Sequence, residues 1–341
     1  MYHDIALYFG LCNFELLYYP LSTMNKQTTL GHSNLTINRI GLGCMGMSEF
    51  YGSFDEKESI NTLHKAIDLG VNFFDTADMY GSGANELLLG KAFKGRWKDI
   101  VLATKFGVMR GNNAEFLGIN SKPEYIKKAC EDSLERLGVE TIDLYYMHRQ
   151  DPSVEIEEIV GTMAELVKQG KVKYIGLSEV SADTLRRAHG VHPITALQAE
   201  YSLWSREPEQ ELFKVCKELG VTFVAYSPLG RGFLTGAIKS RADLEAGDFR
   251  LSNPRFTDQA IKENLKFVET IELIAKQKNA TKAQIALAWI LNQNNEITAI
   301  PGTRNAKRLA ENLGALTVEL TGDDLATIQT HMPKETTGER Y

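Results

Sequence analysis

Residues 71–81 read VNFFDTADMYG, and how this stretch folds decides the architecture of the chain. A largely apolar run of four residues stops abruptly on Asp75, and Tyr80 follows five residues later. A short apolar run bounded by turn formers reads as a strand covered on both faces. Two later runs also stop on an ionisable side chain, IVLATK (100–105) at Lys105 and IDLYYMH (142–148) at His148. If the three strands lie side by side, then Asp75, Tyr80, Lys105 and His148 meet as one proton-handling site.

Outward from this stretch the same alternation repeats. Residues 28–30 and 35–38 read as a small hairpin, and RIGLGCMG (39–46) as a short strand ending in glycines. Residues 56–69 carry Ile60, Leu63 and Ile67 at helical spacing and stop at Gly70, suited to a left-handed cap. Further strands are predicted at 100–104, 142–147, 173–177, 194–199, 221–225 and 297–300. Helices are predicted at 86–93, 123–137, 154–168, 182–188, 208–219, 281–292 and 306–313. Eight strand–helix units over some 300 residues predict a (β/α)8 TIM barrel with a short N-terminal β-hairpin. A doubly wound sheet is the competitor. Its GxGxxG turn is absent, and GLGCMGMS (41–48) is only a near match. Residues 227–258, with GRGFLTG and SRADLEAGDFR, read as a long irregular connection of the kind that forms lids or stays disordered.

Composition narrows the function classes. The chain is 43% hydrophobic and 24% charged, which suits a soluble globular protein and argues against disorder. Its net charge of −6 provides no field for nucleic acid or an anionic membrane, so an anionic ligand needs a local basic patch. Cys12, Cys44, Cys130 and Cys216 form no CxxC or Cys/His cluster, which disfavours a disulfide framework or zinc and fits a cytoplasmic setting. Residues 1–23 are apolar and aromatic, but Asp4 and Glu15 interrupt them, so they suit neither a membrane span nor a signal peptide. Met24 reads as the initiator of a single barrel domain over residues 24–341, with 1–23 an upstream extension.

In a barrel the strand ends facing one mouth carry the chemistry. Ser178 follows the fifth predicted strand, Gln198 ends the sixth and Tyr226 follows the seventh. Each residue alone has a bland explanation: a turn cap for Asp75, a snorkelling Lys105, a packed Tyr80, a core His148. The conjunction at adjacent strand ends favours a proton donor. Tyrosine titrates near ~10, an adjacent ammonium is expected to lower that value, and a carboxylate keeps the lysine charged. A neutral histidine can then orient a carbonyl oxygen. No activated nucleophile or metal cluster competes, so the attacking group would be a cofactor hydride. IPGTRNAKRLAEN (300–312) runs from the last strand into a helix. There Thr303 and the first-turn amides are expected to hold a phosphate, with Arg304 and Arg308 adding charge.

FDTADMYG, the lysine of LATKFG and the histidine of DLYYMHRQD resemble the signatures of the aldo-keto reductase superfamily. So do GLSEVS, LQAEYSLW, AYSPLGRGFLTG and IPGTRNAKRLAENLGA, in the family's order across residues 30–332. The wording is similar to the bacterial, fungal and plant branch with pyridoxal-reductase-like and auxin-induced-type members. The resemblance implies an NADP(H)-dependent reductase of small aldehydes or ketones. Its tetrad falls on Asp75, Tyr80, Lys105 and His148, with Tyr80 the general acid. It implies Tyr226 stacked on the nicotinamide, Ser178 and Gln198 on its carboxamide, and Ser227, Leu229, Gly302, Thr303 and Arg304 as further cofactor contacts. Arg308 matches the 2′-phosphate contact, and Glu311 and Asn312 the adenine contacts, which favours NADPH over NADH. One position departs: many members carry Asn where this chain has Glu179, and a carboxylate cannot donate as an amide does. Phe50, Tyr51, Phe106 and Trp204 suggest an apolar or aromatic substrate pocket, though such residues equally serve as loop packing; pyridoxal, methylglyoxal-like aldehydes and quinone-like ketones are the candidates. Two other readings compete: a cofactor-binding regulatory subunit like the channel β-subunits, and a Schiff-base aldolase using Lys105. Nothing in the chain specifies an oligomeric state.

Overall fold

The computed structural model describes residues 26–111 and 115–341; the expected extension at 1–23 lies outside them. The chain opens with an antiparallel hairpin, β1 (Gln27–Thr29) and β2 (Thr36–Asn38). Eight parallel strands then form one sheet. In chain order these are β3 (Leu42–Gly43), β4 (Phe73–Asp75), β5 (Val101–Phe106) and, after a second hairpin of β6 (Val108–Arg110) and β7 (Phe116–Ile119), β8 (Ile142–Met147). They continue with β9 (Val172–Ser178), β10 (Ala196–Glu200), β11 (Thr222–Tyr226) and β12 (Ile297–Ala299). The sheet closes on itself through parallel bridges Ile40–Ala299 and Gly43–Gly302, which makes a barrel. At that seam a Cβ on Gly43 would stand 2.9 Å from the Ile300 carbonyl oxygen, so only glycine lets the two strands approach.

Helices cover the outside: α1 (Glu56–Asp68), α2 (Ala84–Ala92), α3 (Pro123–Leu137), α4 (Ile156–Lys168), α5 (Ala182–Val191) and α6 (Leu212–Leu219). Their ends follow local chemistry. Asp55 caps α1 by accepting from the Glu58 amide at 2.8 Å, and Gly70 beyond its end sits at φ 84°. α3 starts on Pro123 and ends at Gly138, φ 67°.

The connection after β11 departs from the sequence expectation. Residues 227–257 form a packed chain of 3-10 turns with Arg231, Asp248 and Arg255 buried. A 21-residue helix, α7 (Asp258–Lys278), then occupies residues to which the sequence reading assigned no element. Thr257 caps it, and Ile261, Phe267, Val268, Ile271 and Ile274 bury one face. α8 (Lys282–Asn292), α9 (Ala306–Leu313) and α10 (Gly322–His331) complete the coat. No helix among the described residues is long and apolar enough to cross a membrane.

Two apolar layers result. One lies between sheet and helices. The other fills the barrel: Phe73, Val101, Ala103, Leu144, Tyr146, Ala196, Val224 and Ile300, with Leu30 and Ile37 of the hairpin region packed against them. Strand side chains alternate faces. The inward set therefore continues, two residues further along each strand, from Phe73 to Asp75, Ala103 to Lys105, Tyr146 to His148, Ala196 to Gln198 and Val224 to Tyr226.

Candidate active site

The barrel's parity delivers the charged residues to one mouth. Asp75 is the last residue of β4, Lys105 lies near the end of β5, and His148 directly follows β8. The backbone of β4 continues past Asp75 into a turn whose Thr76 and Asp78 amides bond to the Ala103 and Lys105 carbonyls at 2.9 and 3.1 Å. Tyr80 begins a 3-10 turn, and the left-handed residues Gly81, Ser82 and Gly83 (φ 57°, 52° and 93°) then reverse the chain into α2.

Lys105 is the centre. Its Nζ donates to Asp75 Oδ1 at 2.5 Å, to the Thr76 carbonyl at 2.8 Å and to the Tyr80 hydroxyl at 3.3 Å. All three of its N–H donors are spent, and its side chain has no solvent exposure. The second Asp75 oxygen accepts from Gln198 Nε2 at 2.7 Å. The His148 ring meets the Tyr80 ring edge-on at 5.9 Å. The structure thus brings Asp75, Tyr80, Lys105, His148 and Gln198 into one buried network.

Electrostatics divides the roles. Burial pushes the Tyr80 phenol above its usual value, and Lys105 only partly offsets it, so the expected lowering is not what the site produces. Tyr80 stays protonated at neutral pH. Burial by itself would depress Lys105, but Asp75 and Tyr80 outweigh it and hold the ammonium charged. Burial, with Lys105 and Arg149 adding like charge, keeps His148 well below its usual range, hence neutral.

The chain around Ser178 and Tyr226 is equally specific. Ser178, the last residue of β9, accepts from Arg149 Nη1 at 3.2 Å. Tyr226, half-buried, is the last residue of β11; Ser227 follows at φ 48°, and Leu229 packs against the apolar coat.

At the far edge, the expectation of open first-turn amides needs correction. Asn305 caps α9, and its Oδ1 already accepts from the Lys307 and Arg308 amides at 3.0 and 3.2 Å. Arg304 is also an anchor: its Nη1 donates to the Gly46 and Tyr51 carbonyls at 3.2 and 3.0 Å. Arg308 is exposed, Thr303 and Glu311 are half-buried and Asn312 is buried. Gly302 is exposed, and a Cβ there would meet only the Gly43 carbonyl oxygen, at 3.4 Å. Open backbone next to a hydroxyl and a guanidinium fits an anionic dinucleotide.

The aromatic residues expected to line a pocket separate into two groups. Phe106 is fully buried against Tyr145, and Trp204 stacks on Phe233 at 4.9 Å, so both serve packing. Phe50 and Tyr51 remain at the mouth, each edge-on to Phe249.

The model of the aldo/keto reductase family matches residues 39–333. The chain belongs to the aldo/keto reductase family. It is 47% identical over 314 residues to an NADP(+) aldo-keto reductase of Schizosaccharomyces pombe, covering 90% of this chain and 92% of the relative. It is 46% identical over 320 residues to a probable aldo-keto reductase of Glycine max, covering 92% and 90%. Among solved structures it superposes on a glycerol dehydrogenase from Gluconobacter oxydans with a TM-score of 0.82 at 26% identity, covering 93% of this chain and 99% of that one. An aldo/keto reductase from Klebsiella pneumoniae, in complex with NADP and acetate, gives 0.71 at 25% identity, with coverage of 93% and 99%.

Within this family member the structure adds residues that sequence reading passed over. Asn85 on α2 accepts from the Thr76 hydroxyl at 2.6 Å and donates to the Cys44 carbonyl at 2.9 Å, fixing the turn whose carbonyl holds Lys105. Arg340 and Tyr341, at the end of the chain, lie against Tyr226: Arg340 Nη2 and the Tyr341 hydroxyl stand 2.6 and 2.7 Å from its hydroxyl. Their one sequence signal is Glu179, a carboxylate at the rim that calls for a cation.

Proposed function

We propose that this chain is an NADPH-dependent reductase of small aldehydes or ketones in which Tyr80 delivers the proton. The observation that carries the reading is Lys105 Nζ, which touches both Asp75 Oδ1 and the Tyr80 hydroxyl, buried at the strand ends. The printed name of the Schizosaccharomyces pombe relative and the NADP in the Klebsiella pneumoniae structure support the choice of cofactor. Ser178, Gln198 and Tyr226 would hold its nicotinamide end. Ser227, Leu229, Gly302 and Thr303 would hold the phosphates, with Arg304 as an anchor of the same loop. Arg308 would reach the 2′-phosphate, and Glu311 and Asn312 the adenine.

When bound, the cofactor supplies a hydride to the carbonyl carbon. The protein's own groups handle the oxygen. Tyr80, kept protonated by burial, donates its O–H as negative charge develops there. The Lys105 ammonium stabilises the phenolate left behind, and Asp75 holds that ammonium in place. Neutral His148 is suited to hydrogen-bonding the substrate oxygen without competing as the acid.

The test is NADPH oxidation against a carbonyl panel that includes pyridoxal, with NADH as control. Tyr80→Phe is expected to abolish turnover while leaving NADPH binding nearly intact. Retained turnover in that variant refutes the assignment of the acid. Tight NADPH binding without turnover by the unmodified chain favours a regulatory subunit instead.

A further inference from the structure

Glu179 directly follows Ser178 at the end of β9, where the reductase reading puts the nicotinamide carboxamide, and its carboxylate is already engaged by the protein. It adopts φ 55°, a left-handed conformation that Asn tolerates far better than Glu. Its Oε1 accepts from the Glu200 amide at 2.9 Å and from Arg340 Nη2 at 2.5 Å. The same guanidinium donates through Nε to Glu200 Oε2 at 2.9 Å and through Nη2 to the Tyr226 hydroxyl at 2.6 Å. One planar fork therefore ties together the ends of β9, β10 and β11, the three strands that present Ser178, Gln198 and Tyr226.

The segment that carries Arg340 is itself built into the fold. Thr337 exchanges two backbone–side-chain bonds with Asn264 on α7, both 2.9 Å. Gly338 sits at φ 93°, where a Cβ would collide with the Pro254 backbone at 2.7 Å. The Arg340 carbonyl accepts from Arg231 Nη1 at 3.1 Å and from Asn253 Nδ2 at 2.9 Å. The tail is anchored on the packed connection after β11, and its last two residues reach the site.

We infer that Arg340 is a positioning residue of the cofactor site: it neutralises Glu179, holds it against the Glu200 amide and orients the Tyr226 hydroxyl. The inference rests on the NADPH reading above. It makes a chemical distinction that a purely structural strap does not. The oxidised nicotinamide is a cation and the reduced ring is neutral. A carboxylate deprived of its ion pair next to Ser178 and Tyr226, the residues that would hold the ring, favours the oxidised form over the reduced one. Arg340 thus holds the balance between NADPH and NADP+.

Isothermal titration of the full chain with NADPH and with NADP+ tests this, using no turnover readout. Arg340→Ala is expected to weaken NADPH binding about tenfold and NADP+ binding several-fold less, so the ratio of the two Kd values moves toward NADP+. Glu179→Gln in that background is expected to restore most of the NADPH affinity. Glu179→Gln alone removes one negative charge beside Ser178 while Arg340 keeps its pair with Glu200; it is expected to move the ratio the opposite way, and it decides the matter if Arg340→Ala does not fold. Equal losses for both cofactors without rescue overturn the inference, as does an unchanged ratio in the variants. An unmodified chain that binds neither cofactor refutes the reductase reading itself, a result distinct from either of these.

Discussion

Replacing Lys105 by Met removes the one cation inside the Asp75–Tyr80 network while keeping a side chain of similar length. The structure sets the cost. Lys105 has no exposure and Asp75 has 3%, so water cannot take over the lost interactions. The variant leaves Asp75 Oδ1 without its 2.5 Å donor and the Thr76 carbonyl without its 2.8 Å donor, with only Gln198 still serving the carboxylate. Breaking a buried ion pair from one side costs about 3–5 kcal/mol. In a chain of this size that lowers Tm by roughly 4–7 °C. The assay is thermal unfolding followed by circular dichroism at one scan rate, with turnover measured in parallel. Asp75→Asn added to Lys105→Met removes the stranded charge while leaving an acceptor for Gln198. The double variant is expected to recover on the order of 2 kcal/mol relative to Lys105→Met alone. Turnover is expected to be lost in both, since the phenolate formed at Tyr80 then has no ammonium beside it. If Lys105→Met melts within about 1 °C of the unmodified chain, or the two substitutions add without coupling, the argument from a buried, charged pair fails.

Two further outcomes follow from the same site. His148 is held neutral, well below the value of 6.5 it has when unfolded, so below that pH the unfolded chain binds a proton that the folded chain refuses. Its contribution to stability is present above about 6.5 and is lost as pH falls, so Tm is expected to decline between about pH 6.5 and 5, and His148→Gln to flatten that decline. Arg308→Ala, at an exposed position, is expected to weaken NADPH binding about tenfold while leaving NADH nearly unchanged, as read from Kd values for the two cofactors. An equal loss for both refutes contact with the 2′-phosphate.

Much of the fold was legible because its signals are local. The apolar runs that end on Asp75, Lys105 and His148 are strands, and glycines at 70, 138 and 220 close helices at positive φ. The principal miss, α7, was also local: Thr257 caps it and its apolar residues recur at helical spacing. The long run of turns before it masked the change of period at Asp258. Arg304 and the α9 amides read as phosphate ligands because sequence shows charge and position. It does not show that Gly46, Tyr51 and the Asn305 side chain already engage them. The direction of the Tyr80 shift failed for a related reason: proximity to Lys105 was readable, whereas complete burial was not.

By itself the sequence determined the residue types and their strand-end positions, and from these the barrel, the family and the four residues that meet at its mouth. Those properties depend on spacing along the chain: each apolar run that ends on Asp75, Lys105 or His148 is a local signal, whereas which strand face points inward is set by closure of the barrel. Only the tertiary structure decided how burial and charge balance at Tyr80, which arginines are free, and what stands beside Glu179. Arg340 reaches Glu179 across 161 positions of sequence. An interaction over that separation follows from the packing of the whole barrel and leaves no mark in the local pattern.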